Sequence, residues 1–363
     1  MNTTDSASPE TSTVDTSTGD LLRETATRLF AELCEPSVLR AAEHGVWPEA
    51  AWTALEEAGF TKAMAPESAG GFGIAPADAL SLLKVAGEYA LPVPLAETML
   101  ASWMLAEAGL DIPDGVLTVA PNPAGDSLTL TRDGTGWRLS GEAHRVPWSR
   151  QADAMAVILR DADGFQVGLI RKGNWRSVAG ENVAREPRDD VTFDGAPVVI
   201  GSTQLDTTRF RAAGAAMRTQ QMAGGLARLT AMTTQYAQDR VQFGRPLGKF
   251  QAVQQNIAAL AGQTAAAVAA ADWAAEAMGD GVRLLPIAAA KARAGEAAGI
   301  GAGIAHQVHG AIGFTFEHSL HFVTKRLWSW RDEFGNEAEW NRLIGRHMAS
   351  AGADRLWAEI VAA

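Results

Sequence analysis

The residues best suited to bind a ligand lie in two short segments of the second half of the chain. The first segment, residues 240–254, reads RVQFGRPLGKFQAVQ, and its two glycines and its proline impose a turn between two helices. The planar guanidinium of Arg240 suits bidentate binding of a pyrophosphate, and the Phe243 ring can pack on a flat ring system. A structural use of Arg240 stays open, because an arginine can also satisfy the carbonyls at a helix end.

The second segment, residues 306–318, reads HQVHGAIGFTFEH. Gly310 and Gly313 interrupt two helical stretches, so backbone amides become exposed where a new helix starts, and such a place binds anions well. His306 and His309 are spaced to share one helical face. Since no carboxylate or cysteine accompanies them at a suitable spacing, the sequence predicts no metal site.

Three zones with different hydrophobic patterns must position these segments, and together they predict an α+β fold. Residues 20–115 have a mostly helical pattern and form a predicted N-terminal helical domain. Residues 116–205 contain short alternating stretches separated by glycine turns, which predict a middle antiparallel β-domain. Residues 206–363 predict long helices with short joins, as in a four-helix bundle. Residues 1–19, rich in Ser, Thr and Asp, predict a disordered tail.

Signals for helix starts and ends predict five helices in the last zone. They are expected over residues 207–239, 250–278 and 286–309, from about residue 317, and over residues 339–361. The two candidate binding segments therefore fall at ends of the long helices.

Composition limits the possible partners and the compartment. The net charge of −11 argues against nucleic acid as the main partner. No apolar run approaches the length of about 18 residues that a membrane span needs, and the start of the chain lacks the basic and apolar regions of a secretory signal. The single cysteine, Cys34, rules out an intrachain disulfide and fits a reducing cytoplasm.

Taken together, the two segments resemble motifs of the acyl-CoA dehydrogenase family. Arg-x-x-Phe-Gly-x-Pro followed by Phe-Gln-x-x-Gln in residues 240–254, and Gln-x-x-Gly-Ala-x-Gly-Phe-Thr-x-Glu in residues 307–317, match the family pattern. Residues 59–73, GFTKAMAPESAGGFG, resemble a further family segment in the N-terminal helical domain. The order of helical domain, β-domain and helical domain is also that of the family.

The resemblance implies an activity and a cofactor. In the family, FAD lies at a dimer interface, and the chain desaturates an acyl-CoA substrate between its α and β carbons. An electron-transferring flavoprotein is the implied electron acceptor. Residue by residue, the resemblance implies that Arg240, Phe243, Gln251, Gln307 and Gly310 contact FAD bound to a partner chain. Ala311 takes the place of the second glycine of the family motif.

The chain departs from the family where the chemistry takes place. Family members carry a glutamate base at one of two positions, and here these positions hold Phe334 and Gly214. The β-domain segments that meet the flavin ring in the family correspond to residues 118–126 and 145–147, and neither keeps the family residues. Pro147 removes both a hydroxyl and an amide donor. The sequence therefore predicts that the chain lacks a base in its own pocket but keeps the residues that contact the FAD of a partner chain.

Three functional hypotheses follow. In the first, the chain is the subunit of an α2β2 acyl-CoA dehydrogenase that completes the FAD site of a catalytic paralogue. In the second, it is a self-sufficient homo-oligomer in which Glu333, one residue from the usual position, is the base; a one-residue slip on a helix turns a side chain by about 100°. In the third, it is a non-catalytic scaffold or a repurposed family member.

Overall fold

The computed structural model describes residues 18–121, 125–134 and 136–362. Most of the predicted disordered tail, residues 1–17, lies outside them. Thr18 and Gly19 belong to the first helix, and Gly19 is buried, so the helical domain begins two residues earlier than the sequence predicted.

Five helices form the N-terminal domain around the buried side chains of Phe30, Leu55 and Phe60. Proline starts two of them at positions where its missing N–H costs nothing. The helices are α1 (Thr18–Leu33), α2 (Pro36–Glu43), α3 (Glu49–Glu57), α4 (Pro76–Glu88) and α5 (Leu95–Glu107).

The middle domain is a seven-stranded sheet with the order β1-β4-β5-β7-β3-β2 and β6 beside β7. The pairs are antiparallel except that β1 pairs with β4 in parallel, which corrects the purely antiparallel prediction. The strands are β1 (Leu117–Val119), β2 (Ser127–Asp133), β3 (Gly136–Pro147), β4 (Ala154–Arg160), β5 (Phe165–Arg171), β6 (Arg176–Val178) and β7 (Arg188–Ser202). The long β7 joins both halves of the sheet.

The C-terminal domain is a helical bundle with a small hairpin at one end. Asp206 caps its first helix by accepting a hydrogen bond from the Arg209 amide at 2.8 Å. Its elements are α6 (Thr207–Asp239), β8 (Val241–Gln242), β9 (Arg245–Pro246), α7 (Gln251–Gly279), α8 (Leu284–His309), α9 (Leu320–Asp332), α10 (Glu337–Ala351) and α11 (Leu356–Ala362).

Two of the predicted helix bounds in this domain were wrong. The fourth helix starts at Leu320 rather than near residue 317. The predicted closing helix is broken, because Gly352 has a φ of +87° and ends α10.

Close contact between α4 and α6 joins the two helical domains. A Cβ built on Gly224 would lie 1.8 Å from the Lys84 carbonyl oxygen, and one on Gly87 would lie 2.0 Å from that of Gln221. Glycine is therefore required on both helices, and the N-terminal domain is fixed against the bundle. Within the described part of the chain, no helix has the length and apolar character needed to cross a bilayer.

Candidate functional site

The two predicted binding segments meet at one end of the bundle. The Arg240 amide donates to the Tyr236 carbonyl at 2.9 Å, so Arg240 directly follows the last turn of α6. The Tyr236 ring stacks on the ring of His309, the last residue of α8, with 4.4 Å between centroids. The structure thus brings Arg240 close to the segment that begins with Gly310, although 70 residues separate them in sequence.

The hairpin that follows α6 turns its functional side chains outward. Phe243 and Gly244 form its turn with φ angles of +52° and +77°, and the Phe243 side chain is 90% exposed. Arg240 is exposed as well, and it has no ion-pair partner in the part of the chain that the structure describes. Gln251, the first residue of α7, is also exposed.

The end of α8 presents backbone and side chains to the same exterior. Gln307, Gly310 and Ala311 are exposed, and a Cβ built on Gly310 meets nothing within 4 Å. Phe314 and Phe316 are 73% and 66% exposed, which is unusual for large apolar side chains unless another chain covers them. We call the six predicted FAD contacts the outer site: Arg240, Phe243, Gln251, Gln307, Gly310 and Ala311.

The chemistry of the outer site fits the remote half of FAD. A guanidinium without a protein partner suits a pyrophosphate, side-chain amides suit ribose hydroxyls and ring nitrogens, and an exposed phenyl ring suits a flat heterocycle. These roles stay predictions for the individual residues.

The place expected for the flavin ring has different chemistry. Pro147 ends β3 without an amide hydrogen, and its carbonyl is occupied by the Thr118 hydroxyl. Val146 points into the core, and Arg145, at a φ of +55°, lines a cavity of about 540 Å³. Part of the stretch 118–126, residues 122–124, lies outside the described residues. The same cavity is lined by Arg188, Arg211, Glu333 and Phe334, so it is open and does not keep the family residues that meet the flavin ring.

The two positions predicted for a base lie in contact with each other. A Cβ built on Gly214 would lie 2.3 Å from a ring carbon of Phe334, so the Phe334 ring fills the space that a glutamate at 214 would need. This ring also packs edge-on against Phe210, at 6.1 Å. The closed pocket, as we call this space, has no room for a water molecule; it is lined by Ala96, Glu97, Leu100, Gly214, Met217, Arg218 and Phe334.

Glu333, the alternative candidate for the base, is held by two arginines. Its carboxylate accepts hydrogen bonds from Arg188 at 2.7 and 3.0 Å, from Arg218 at 2.8 Å and from Asn182 at 3.1 Å. Burial alone would raise the pKa of Glu333, but the charges of Arg188 and Arg218 outweigh it and lower the pKa to about 2. This arrangement disfavours Glu333 as a base, because a general base needs a pKa near the working pH and a free oxygen.

Glu333 belongs to a larger buried ion network that joins all three domains. Glu97 of α5 pairs with Arg218 of α6, and Glu186, which precedes β7, pairs with Arg188 at 3.1 Å and with Arg326 of α9 at 3.0 Å. Three arginines and three glutamates balance in charge, which is the condition under which buried ions are tolerated. Its members are Glu97, Glu186, Arg188, Arg218, Arg326 and Glu333.

This network was not predicted from the sequence, although the sequence contains a signal for it. Arg218 stands alone in the small and apolar stretch AGAAMRTQQMAGG, and Glu97 stands alone in PVPLAETMLA. A single charge on a helix that is otherwise buried must be paired. The pairing itself depends on tertiary contacts that no local pattern contains.

A buried lysine supports the loop that carries Glu333 and Phe334. Lys291 of α8 is 1% exposed and donates to the carbonyls of Arg331 at 2.6 Å and Gly335 at 2.8 Å. Burial lowers the pKa of Lys291 to about 7. These two bonds help hold Phe334 at its φ of +56°, a conformation that costs energy in a phenylalanine.

Comparisons with known proteins agree with this architecture. Residues 16–111 match the N-terminal domain and residues 201–332 the C-terminal domain of acyl-CoA dehydrogenases. The chain is 30% identical over 312 residues to the acyl-CoA dehydrogenase IpdE2 of Mycobacterium tuberculosis, which covers 84% of this chain and 89% of the relative. This chain therefore belongs to the acyl-CoA dehydrogenase family.

Two solved structures with similar folds are each named as a pair of chains, and one of the two names also gives a substrate class. A variant of the Tcur3481–Tcur3483 steroid acyl-CoA dehydrogenase is 26% identical, with a TM-score of 0.83 and coverage of 95% of this chain and 99% of that one. The ChsE4–ChsE5 complex from Mycobacterium tuberculosis is also 26% identical, with a TM-score of 0.81 and coverage of 94% and 100%.

Proposed function

We propose that this chain is the non-catalytic subunit of a FAD-dependent acyl-CoA dehydrogenase and completes the FAD site of a catalytic paralogue in an α2β2 complex. One contrast carries the proposal. The outer site is exposed and its arginine has no ion-pair partner among the described residues, whereas neither family position for the base holds a carboxylate and the neighbouring Glu333 is bound by Arg188 and Arg218.

In this complex each residue of the outer site has a definite task. Arg240 would offset the charge of the pyrophosphate, Gln251 and Gln307 would hydrogen-bond the adenosine portion, and the exposed backbone at Gly310 and Ala311 would let it approach closely. Phe243 covers a ring face and excludes water. Bound FAD supplies the hydride acceptor, and the paralogue supplies the base that removes the α-proton of the acyl-CoA.

The substrate class we propose is a steroid-derived acyl-CoA. Support comes from the similarity to the Tcur3481–Tcur3483 steroid acyl-CoA dehydrogenase, and both similar structures are named as pairs of different chains. We propose an electron-transferring flavoprotein as the acceptor, as the family resemblance implies.

The decisive experiment is co-expression of this chain with a paralogue that retains the family glutamate, followed by measurement of flavin per chain. We expect a stable complex with one FAD for each pair of unlike chains, and no flavin on this chain alone. If the isolated chain is yellow and oxidises acyl-CoA at a normal rate, the proposal is wrong. A complex that contains no flavin would favour the scaffold hypothesis instead.

A further inference from the structure

Three rings form a compact cluster at the ends of the helices that lead into the outer site. Tyr236 stacks on His309 with an interplanar angle of 23°, and His318 lies edge-on to both, at 4.8 Å from His309 and 6.1 Å from Tyr236. The three residues come from three different segments: α6, the end of α8 and the loop before α9. The cluster therefore ties together the segments that carry the two halves of the outer site.

Tyr236 and His309 are close in the chain to residues that we propose contact FAD. The Tyr236 carbonyl receives the amide of Arg240 at 2.9 Å, and His309 lies two residues after Gln307 and immediately before Gly310. The Tyr236–His309 stack consequently joins the end of α6, which leads into Arg240, to the end of α8, which leads into Gly310. Neither ring belongs to the outer site itself.

His309 is held in one neutral form. Its Nδ1 lies 2.8 Å from the Ala305 carbonyl, and since a carbonyl only accepts, Nδ1 must carry the hydrogen. Its side chain is almost wholly buried, and its Nε2 has no hydrogen-bond partner in the described part of the chain. A second proton on this ring would create a buried cation with an unpaired donor.

The Tyr236 ring face attracts a cation weakly, but no carboxylate among the described residues forms an ion pair with His309. Tyr236 faces it from α6, His306 from its own helix and His318 from the following loop. Glu43, a carboxylate with a largely buried side chain, is paired with His321 and Lys325 and not with His309. Burial lowers the pKa of His309, and the neighbouring histidines add to that shift.

We infer that Tyr236 and His309 are positioning residues for the FAD half-site, and that their stack holds Arg240 and Gly310 at the separation FAD requires. The inference rests on the proposed function. Loss of the stack leaves each contact residue in place but no longer fixes their relative position. The energy of an aromatic pair of this kind corresponds to about two- to twelve-fold in an equilibrium constant, and this range is the most that losing the stack should cost FAD binding.

The test measures the FAD dissociation constant of the co-expressed complex for Tyr236→Ala, Tyr236→Phe, His309→Gln and His309→Phe. We expect weaker binding by roughly two- to twelve-fold for Tyr236→Ala and His309→Gln, and near-normal binding for both phenylalanine variants, which keep a stacking ring. Thermal unfolding of each isolated chain shows whether a variant has lost its fold. His347→Gln, at an exposed histidine of α10, is the control.

A pH series on the unmutated complex adds a readout that does not depend on any variant folding. FAD affinity should fall as the pH drops below the lowered pKa of His309, and His309→Phe should not show that fall. If Tyr236→Ala and His309→Gln bind FAD normally while Arg240→Ala does not, this inference is wrong and the proposed function stands. If Arg240→Ala also binds FAD normally, both are wrong.

Discussion

Polar side chains are exposed in the outer site, whereas in the closed pocket they are buried and paired. In the outer site, Arg240 and Gln307 are exposed and Phe243 projects into solvent. In the closed pocket, Arg218 is buried and ion-paired, and Phe334 packs inward against Gly214. Groups left without partners in a folded chain are available to another molecule, whereas groups that satisfy one another are not.

The backbone at two phenylalanines, one in each region, shows how the two regions differ. Phe243 and Phe334 both adopt a left-handed conformation, with φ angles of +52° and +56°. Such angles are costly for bulky side chains and persist only where the surroundings impose them. The Phe243 ring is thereby exposed to solvent, whereas the Phe334 ring lies against Gly214.

The largest effect is expected from Glu333→Gln. The change leaves Arg188 and Arg218 with excess buried charge, and breaking a buried ion pair in this way costs about 3–5 kcal/mol of stability. Urea unfolding of the isolated chain measures it. Glu181→Gln is the control, because Glu181 is an exposed glutamate that precedes β7, the strand that begins with Arg188. It should change stability by less than about 0.5 kcal/mol.

The same variant separates a structural from a catalytic role for Glu333. If Glu333 holds the domains together, turnover per folded complex is unchanged while stability falls. A loss of turnover by several orders of magnitude with stability intact would restore Glu333 as a base and remove the contrast between the two regions.

The second effect concerns the outer site. Arg240→Ala should weaken FAD binding in the complex by roughly ten- to a hundred-fold, because a charge-assisted hydrogen bond is worth about 1.5–3 kcal/mol. The stability of the isolated chain should hardly change, since Arg240 is exposed. Arg245→Ala is a control in the same hairpin, because the Arg245 guanidinium lies over the Phe250 ring, 4.2 Å from its centroid. Equal flavin content in all three proteins would contradict our assignment.

The third prediction tests whether Phe334 closes the pocket. Gly214→Ala should destabilise the chain by about 1–3 kcal/mol, since its Cβ would overlap the Phe334 ring. Combining it with Phe334→Ala should cost less than the sum of the two single changes. Gly303→Ala in α8, where a Cβ meets nothing within 4 Å, should be neutral or stabilising. Strict additivity would mean that the two positions do not share the pocket.

The sequence contained enough to predict the fold class and the order of the domains. Proline at the start of α4 and the Asp206 cap of α6 are local signals of this kind. The parallel pairing of β1 with β4 and the break of the last helix at Gly352 were missed. Strand direction depends on how distant segments meet, and a single glycine in a helical pattern does not by itself announce a break.

The closed pocket could be predicted only in part. The absence of a carboxylate at positions 334 and 214 is visible in the sequence. That Phe334 reaches Gly214, and that Glu333 turns away toward Arg188, depends on the conformation of one residue. The direction of the Glu333 side chain could not be predicted from the helical period of 3.6 residues, because Glu333 follows the end of α9 and is not helical.

The smallest effect we predict is the pH dependence that Glu333 adds to stability. Its pKa is about 2 in the folded chain, below the ordinary value of 4.5, so its contribution is complete above pH 4.5 and is lost as the pH falls toward 2. Between pH 7 and pH 4 the loss should be about 1 kcal/mol. Urea unfolding at both pH values measures it, and Glu181→Gln should behave like the unmutated chain. Glu333→Gln should lose less stability over this interval. An equal loss in all three proteins would mean that Glu333 titrates normally and is not held by the two arginines, so the buried region would no longer differ from the exposed one.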